Sequence, residues 1–343
     1  MKTITGKNYF AFLAALFVLT LGMPVRAAEP IELVAKYPMP ADVKGRFDHL
    51  SVDVRGNRLF LAAETAHEVL VFNLHTGKFI RAITGIGIPH AIFVREDLNR
   101  IFITDGGAGE VKMYNGRTYR LLGAAKLRVD SDSIGYDPAT HFLYVVNGGG
   151  DAHETFSMLS VINTNTGRKV ADIQIDGDTL EAMAIAKGSA KIYQNNPSKS
   201  EVDVINRETR RLLARWPVTM GKRNVAMAFD EASHRLFVAC RSGVIVVFDS
   251  ETGKELQTLP ISTGVDDLIF DAQSKRIYAS CGTAPGALFV YHEDDADHYS
   301  LLDKVSSAPG GKNEVLAPSL GRLFITVPPQ GTAPGEVYVY AVQ

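Results

Sequence analysis

The chain has 343 residues, and its 36 Lys and Arg nearly balance its 38 Asp and Glu, which gives a formal net charge of -2 at pH 7. No basic run interrupts this balance, so nucleic-acid binding through a broad electrostatic footprint is not indicated. With 46% hydrophobic residues, a chain of this length can bury a large core without disulfides or metals.

The first predicted element is a secretory signal peptide over residues 1–27. Lys2 and Lys7 form a basic start, residues 10–21 are apolar, and Ala27 ends a small-x-small cleavage site. The alternative is an uncleaved anchor, but the apolar stretch is short for a membrane span. We therefore expect a bacterial chain that is exported to the periplasm or secreted, with no membrane span after cleavage.

A repeated pattern follows, roughly every 44 residues, and its clearest copy covers residues 226–256. Each copy has a short Val-, Ile-, Phe- and Tyr-rich segment that opens on a basic or aromatic residue, then a second such segment and a turn rich in Asn, Asp and Gly. Segments this short between turns indicate strands. The opening residues of the seven copies are Arg58, Arg100, Phe142, Lys191, Arg235, Arg276 and Arg322.

Seven copies with several strands each predict an all-β fold, a seven-bladed β-propeller of four-stranded antiparallel blades in one domain, residues 28–343. The seventh copy ends without an outer strand, so we expect Ile31–Tyr37 to pair with the C-terminal blade and close the ring. The predicted blades are 47–89, 90–130, 131–178, 179–223, 224–264, 265–310, and 311–343 completed by 30–39.

The two cysteines occupy the same position in neighbouring copies, Cys240 in LFVAC and Cys281 in IYASC. An oxidising compartment favours a disulfide. However, equivalent positions of adjacent blades should lie farther apart than the roughly 4.4–6.8 Å between Cα atoms that a disulfide needs. We therefore predict two small buried residues without a bond.

Several stretches resemble the YVTN-repeat, YncE-like β-propellers of exported bacterial proteins. They are the YVVN of Tyr144–Asn147, and the segments 47–62, 265–280 and 308–328, and the resemblance extends over residues 47–343. It implies an exported seven-bladed propeller and does not imply a particular reaction.

Charged residues stand where the first strand of each blade should begin, at the mouth of the central channel. Counting ten residues back from each opening residue gives Asp48, His90, Asp132, Glu181, Val225, Asp266 and Lys312, the last displaced to Asn313 if the turn is shorter. We predict a ligand-binding mouth from these positions, their neighbours and the ends of the second strands: Asp48, His49, His90, Asp105, Asp132, Asn147, Glu181, Asn196, Asn224, Asp266, Asp267 and Asn313.

Four or more carboxylates around one opening would raise each other's pKa or hold a cation. A trio of oxygen donors, Glu181, Asn224 and Asp266, suits a hard divalent cation, calcium above others. His49 and His90 leave a softer metal open. The alternative is an ordinary solvated mouth, and a site for a small molecule or peptide is favoured over a metal.

Two further segments depart from the repeated pattern. Residues 147–158 form the longest connection on the mouth side and are predicted to be a lid or contact loop. Residues 294–299, DDADHY, have metal-like spacing but are predicted to be a solvated acidic turn on the opposite face.

No standard catalytic signature is found: the sequence has no G-x-S-x-G, H-E-x-x-H, P-loop or haem-attachment motif. The catalytic residues therefore stay unassigned. The leading hypothesis is a monomeric module that binds a small molecule or a periplasmic protein or peptide at its mouth. The alternatives are a divalent-metal lactonase or esterase with gluconolactonase-like chemistry, and a redox protein that holds a quinone or haem.

Overall fold

The computed structural model describes residues 1–3 and 31–342 of the chain. In this part, 28 strands form seven four-stranded sheets, each antiparallel throughout. The predicted seven-bladed β-propeller is confirmed. The predicted signal peptide, residues 1–27, lies outside the described residues apart from residues 1–3. Across the described ranges, no helix has the length and apolar character needed to cross a membrane.

Each blade is built from strands that are consecutive in the chain, except that the seventh takes its outer strand from the N-terminal side. The strands of blades 1 to 6 are β2–β5 (Leu50–Asp53, Arg58–Ala63, Glu68–Asn73, Phe79–Ile83), β6–β9 (Pro89–Arg95, Arg100–Asp105, Glu110–Asn115, Leu121–Lys126), β10–β13 (Ile134–Asp137, Phe142–Gly148, Phe156–Asn163, Arg168–Asp176), β14–β17 (Met183–Ile185, Lys191–Asn196, Glu201–Asn206, Arg211–Pro217), β18–β21 (Asn224–Asp230, Arg235–Cys240, Val244–Asp249, Glu255–Pro260) and β22–β25 (Val265–Asp271, Arg276–Cys281, Ala287–Glu293, Tyr299–Ser306). Blade 7 contains β26–β28 (Glu314–Ala317, Arg322–Val327, Glu336–Ala341) and β1 (Glu32–Pro38). Short 3-10 helices occupy Glu96–Leu98, Gly150–Ala152 and Pro318–Leu320.

The first strands of the blades line the centre of the ring. Each of β2, β6, β10, β14, β18, β22 and β26 contacts the first strand of the next blade, and β26 contacts β2. The second strands are buried on both faces because blades stack against them from either side; Leu59, Phe60 and Leu61 in β3 are fully buried. This explains why they read as unbroken apolar runs without alternation.

The ring closes as the sequence predicts, with a shift of one residue. Strand β1 pairs antiparallel with β28, with Leu33 opposite Tyr340 and Tyr37 opposite Val337. The Tyr37 hydroxyl donates to the carbonyl oxygens of Leu74 and His75 at 3.0 and 3.3 Å. Blade 7 is thereby fastened to blade 1, and two sheet edges are removed.

The repeated turn after the third strand has a common mechanism. In blade 1 the side-chain oxygen of Asn73 accepts from the backbone N–H groups of His75 and Thr76 at 3.1 and 2.9 Å. Asn115, Asn163, Asn206 and Asp249 do the same in blades 2 to 5. The short polar side chain thus replaces a backbone acceptor, which fixes the start of the outer strand.

Cys240 and Cys281 are both buried, and neither is in a disulfide in the structure. They end β19 and β23. Burial raises the pKa of each thiol to about 12, so neither is a reactive thiolate at neutral pH.

Candidate functional site

A cavity of about 740 Å³, called the axial cavity below, lies on the axis of the ring, and every blade contributes to its wall. All seven positions counted ten residues before the blade anchors line it: Asp48, His90, Asp132, Glu181, Val225, Asp266 and Lys312. The backbone explains this placement. The N–H of Asp48 donates to Ala62 at 2.9 Å and that of Asp132 to Val146 at 2.9 Å. These bonds extend the pairing of each first strand with the second strand of its blade. The side chains of Asp48 and Asp132 are thereby held toward the axis.

The wall of the axial cavity carries more acidic than basic side chains. Seven carboxylates face three Lys or Arg side chains and two His. The acidic residues are Asp48, Glu64, Asp130, Asp132, Asp151, Glu181 and Asp266; the basic ones are Arg46, Arg241 and Lys312, with His49 and His90. Even with both imidazoles protonated, negative charge is in excess, which favours a positively charged occupant.

On the side of blades 5 to 7 the charges are already paired. Asp266 contacts both Lys312 and Arg241, and the Asn313 amide donates to it at 3.3 Å. Burial alone would raise the pKa of Asp266, but the two cations outweigh burial and lower it. This carboxylate is therefore ionised and neutralised inside the protein.

On the side of blades 1 and 2, Asp48 lies between two imidazoles. His90 Nδ1 is 2.6 Å from Asp48 Oδ2, and His49 Nε2 is 3.6 Å from Asp48 Oδ1. Burial disfavours the charged His90, but its hydrogen bond to Asp48 and the carboxylate of Asp132 raise its pKa to about 9. Burial likewise opposes a charge on His49, yet Asp267 and Asp48 hold its pKa well above the usual value.

On the side of blades 3 and 4, the carboxyl groups of Asp132 and Glu181 lack such close partners among the described residues, as do those of Asp130 and Asp151 in the same wall. Asp132 Oδ1 is buried without a hydrogen-bond partner in the described part of the chain, and Glu181 reaches a cation only at 3.9 Å, from Arg241. Burial, with the negative charge of Asp48, raises the pKa of Asp132 to about 6. Burial, with Asp132 and Asp266, raises the pKa of Glu181 to about 8. A bound cation would therefore be stabilised most strongly in this sector of the cavity.

Six predicted site residues are not in the wall of the axial cavity: Asp105, Asn147, Asn196, Asn224, Asp267 and Asn313. The first four are at most 1% exposed. Asp105 accepts from the N–H groups of Gly87 and Ile88 at 2.8 and 3.0 Å and binds Lys112 Nζ at 2.7 Å. The prediction that polar residues at strand ends line the mouth is corrected at these four positions. Their side chains form hydrogen bonds with backbone groups of loops and strand ends instead.

The same correction applies to the predicted metal trio of Glu181, Asn224 and Asp266. The Asn224 amide donates to Asn195 Oδ1 at 2.9 Å and to the Glu201 carbonyl at 3.0 Å. Asp266 is occupied by its two cations. Asn224 Oδ1 is buried without a hydrogen-bond partner among the described residues, but Asn224 is not in the wall of the axial cavity, whereas Glu181 and Asp266 are.

Asp267 and Asn313 support the cavity wall from behind. Asp267 binds His49 Nδ1 at 3.2 Å, and Asn313 bridges Asp48 and Asp266, with its amide 3.3 Å from each. His49 itself lines the cavity, as predicted.

Five charged residues of the cavity wall do not follow from the sequence analysis: Arg46, Glu64, Asp130, Asp151 and Arg241. Asp151 belongs to the long connection 147–158, which was noted as a loop on the mouth side, and the structure places it in the cavity wall. Asp130 and Arg241 lie just outside strands, and the repeat offers no signal for them. The DDADHY turn is exposed, with His298 bound to its own Asp295 at 2.9 Å.

No protein-family model matches the chain. A search of curated proteins finds no match either. Among solved structures, the chain is similar to one in the "Crystal Structure of Mitotic Checkpoint Complex", with a TM-score of 0.73, 13% identity, and coverage of 98% of this chain and 99% of that one. It is also similar to a chain of Kuenenia stuttgartiensis hydrazine synthase, with a TM-score of 0.71, 15% identity, and coverage of 83% and 93%. Likenesses at such low identity show the β-propeller fold alone.

Proposed function

We propose that this chain is an exported binding protein of the YVTN-repeat, YncE-like type, and that it holds a small positively charged ligand in the axial cavity. The observation that carries the proposal is the pair of carboxyl groups, Asp132 and Glu181, which face the cavity without close cationic partners. The repeats and the signal-like residues 1–27 support the family and the export.

The electrostatics supply the driving force. Asp132 and Glu181 hold protons more tightly than usual because they are buried and near other carboxylates. A bound cation would lower the pKa values of both carboxyl groups, because it favours their ionised forms. The cavity volume of about 740 Å³ is within the range that small-molecule sites occupy.

The proposal is tested with spermidine as a cationic probe and citrate as its anionic counterpart, by calorimetric titration of protein kept in EDTA. We expect spermidine to bind and citrate not to bind. The double variant Asp132→Asn/Glu181→Gln should weaken spermidine binding by at least about tenfold, since two carboxylates are neutralised.

A matched control is Glu208→Gln, which neutralises an exposed carboxylate in the turn between β16 and β17. It should leave the titration unchanged. Preferential citrate binding, or equal spermidine affinity in the double variant, would contradict the proposal.

Hydrolysis of a lactone or ester is the second candidate. Glu181 favours it, because this carboxyl faces the cavity and, with a pKa of about 8, keeps a proton to donate to a leaving oxygen at neutral pH. Glucono-δ-lactone is the substrate to assay. Turnover that Glu181→Gln abolishes and Glu208→Gln preserves is the expected result for a hydrolase; hydrolysis at the rate of buffer alone removes this candidate.

A further inference from the structure

We infer that Asp48, His49 and Asp132 form a binding site for one divalent transition-metal ion, such as Zn²⁺ or Mn²⁺, in the wall of the axial cavity. One ligand atom from each of the three lies within 4.8 Å of the others. The inference deepens the proposed function and rests on it only in sharing the same cavity. It assigns the metal to residues of blades 1 and 3, and not to the trio of Glu181, Asn224 and Asp266.

The spacing of the donor atoms suits a metal. His49 Nε2 and Asp48 Oδ1 are 3.6 Å apart. Two neighbouring ligands of a tetrahedral ion with bonds of about 2.0–2.2 Å are about 3.4 Å apart. Asp48 and His49 therefore already have the separation of metal ligands, and Asp132 needs a modest side-chain movement to complete the set.

Surrounding groups orient the donors as they do in metalloproteins. Asp267 binds His49 Nδ1 at 3.2 Å and accepts the Glu314 backbone N–H at 2.9 Å. With Nδ1 engaged, Nε2 is the nitrogen that can coordinate, and the ion displaces the proton on it. His90 holds the other oxygen of Asp48, Oδ2, at 2.6 Å, whereas Oδ1 accepts a long bond of 3.3 Å from the Asn313 amide and keeps a lone pair for the ion.

An independent observation points to a ligand at this place. Asp132 Oδ1 is buried and has no hydrogen-bond partner among the residues that the structure describes. A buried polar oxygen without a partner costs free energy, and native structures usually satisfy such atoms with protein, water or an ion. The backbone of Asp132 is fixed by its bond to Val146, so the carboxylate is held at the cavity wall.

The donor set decides the class of metal. One imidazole nitrogen and two carboxylate oxygens suit ions of intermediate softness, whereas Ca²⁺ takes about six to eight oxygens. The protein should therefore prefer Zn²⁺ to Ca²⁺. This differs from the calcium site expected from the sequence.

The test uses the full chain stripped with EDTA and then freed of chelator, titrated with Zn²⁺ and with Ca²⁺. We expect one Zn²⁺ per chain and Ca²⁺ binding at least about tenfold weaker. His49→Gln and Asp132→Asn should each weaken Zn²⁺ binding by at least about tenfold. The matched control is His298→Gln, which removes an exposed imidazole that is also bound to an aspartate, and it should leave the affinity unchanged.

A spectroscopic readout separates ligation from a loss of folding. With Cu²⁺ as the probe, nitrogen coupling from one imidazole should appear in electron paramagnetic resonance, persist in His298→Gln and disappear in His49→Gln, with both variants folded by circular dichroism. If His49→Gln does not fold, Asp132→Asn carries the test.

Failure to bind Zn²⁺, tighter Ca²⁺ than Zn²⁺ binding, or unchanged affinity in the variants would overturn the inference. Spermidine binding in EDTA is independent of the metal, so the two proposals can fail separately.

Discussion

The variant Tyr37→Ala is expected to lower the free energy of unfolding by about 3–5 kcal/mol, the range for truncating a large buried aromatic side chain. Tyr37 lies in β1, is 7% exposed, and packs within 6.2 Å of the Phe324 ring in blade 7. Its hydroxyl reaches the carbonyl oxygen of Leu74 in blade 1. A single side chain thus joins the two blades at the point where the ring closes.

The local backbone leaves no easy way to fill the gap. Gly77 has a φ of 68° and its missing Cβ would lie 2.0 Å from the Tyr37 ring, so the turn of blade 1 is fitted to this aromatic. Truncation therefore leaves a cavity at the seam and loosens the pairing of β1 with β28.

Two matched variants show whether the effect belongs to the closure. Tyr37→Phe keeps the ring and loses the hydroxyl, so it should cost only about 1 kcal/mol. Val34→Ala changes a residue of the same strand that is 44% exposed, and it should stay within about 0.5 kcal/mol. Urea unfolding followed by fluorescence measures all three. A Tyr37→Ala cost no greater than that of Val34→Ala would show that this seam does not stabilise the ring.

The fold could be predicted from the sequence because each blade repeats the same local signals. The buried second strands, such as β3 and β7, are continuous apolar runs, and the Asn or Asp turn is the same in blades 1 to 5. The closing strand could be predicted as well, because Ile31–Tyr37 is strand-like and belongs to no other blade. A fold can be predicted from its sequence when local and global signals agree in this way.

The candidate site could be predicted only in part. The blade-start positions follow from register, and so Asp48, Asp132 and Glu181 were placed correctly in one ring. The strand-end positions did not follow, because a polar residue at a strand end can serve either the mouth or the loop behind it. Asp105 serves the loop, where it accepts backbone N–H groups.

The sequence also could not predict which carboxylates of the cavity are neutralised by cations and which are left unpaired. Arg241 follows the second strand of blade 5, yet it pairs with Asp266 in blade 6. Lys312 reaches the same carboxylate from blade 7. These contacts join different blades, and a pattern within one repeat carries no information about side chains that cross between repeats.

The largest pH effect is expected from Glu181: the metal-free protein should be less stable at about pH 8 than at about pH 5.5. The pKa of Glu181 is about 8 in the folded protein, against an ordinary 4.5. Between these values the folded state keeps a proton that the unfolded state has lost, so stability falls as pH rises through this window. His90, with a pKa raised from 6.5 to about 9, adds to the decline in the same direction.

Glu181→Gln isolates the contribution of this carboxyl, because the amide stays neutral across the window. We expect the stability advantage of the variant over the unmodified protein to grow by about 1–3 kcal/mol between pH 5.5 and pH 8, within the limit of about 1.4 kcal/mol per pH unit. Burial and the nearby carboxylates of Asp132 and Asp266 raise the pKa of Glu181. The positive charges of Arg241 and His49 lower it. Urea unfolding in EDTA at both pH values, with Glu208→Gln as the exposed control, measures the difference. If Glu181→Gln and Glu208→Gln depend on pH alike, Glu181 is ionised in the folded protein and a cation partner must already neutralise it.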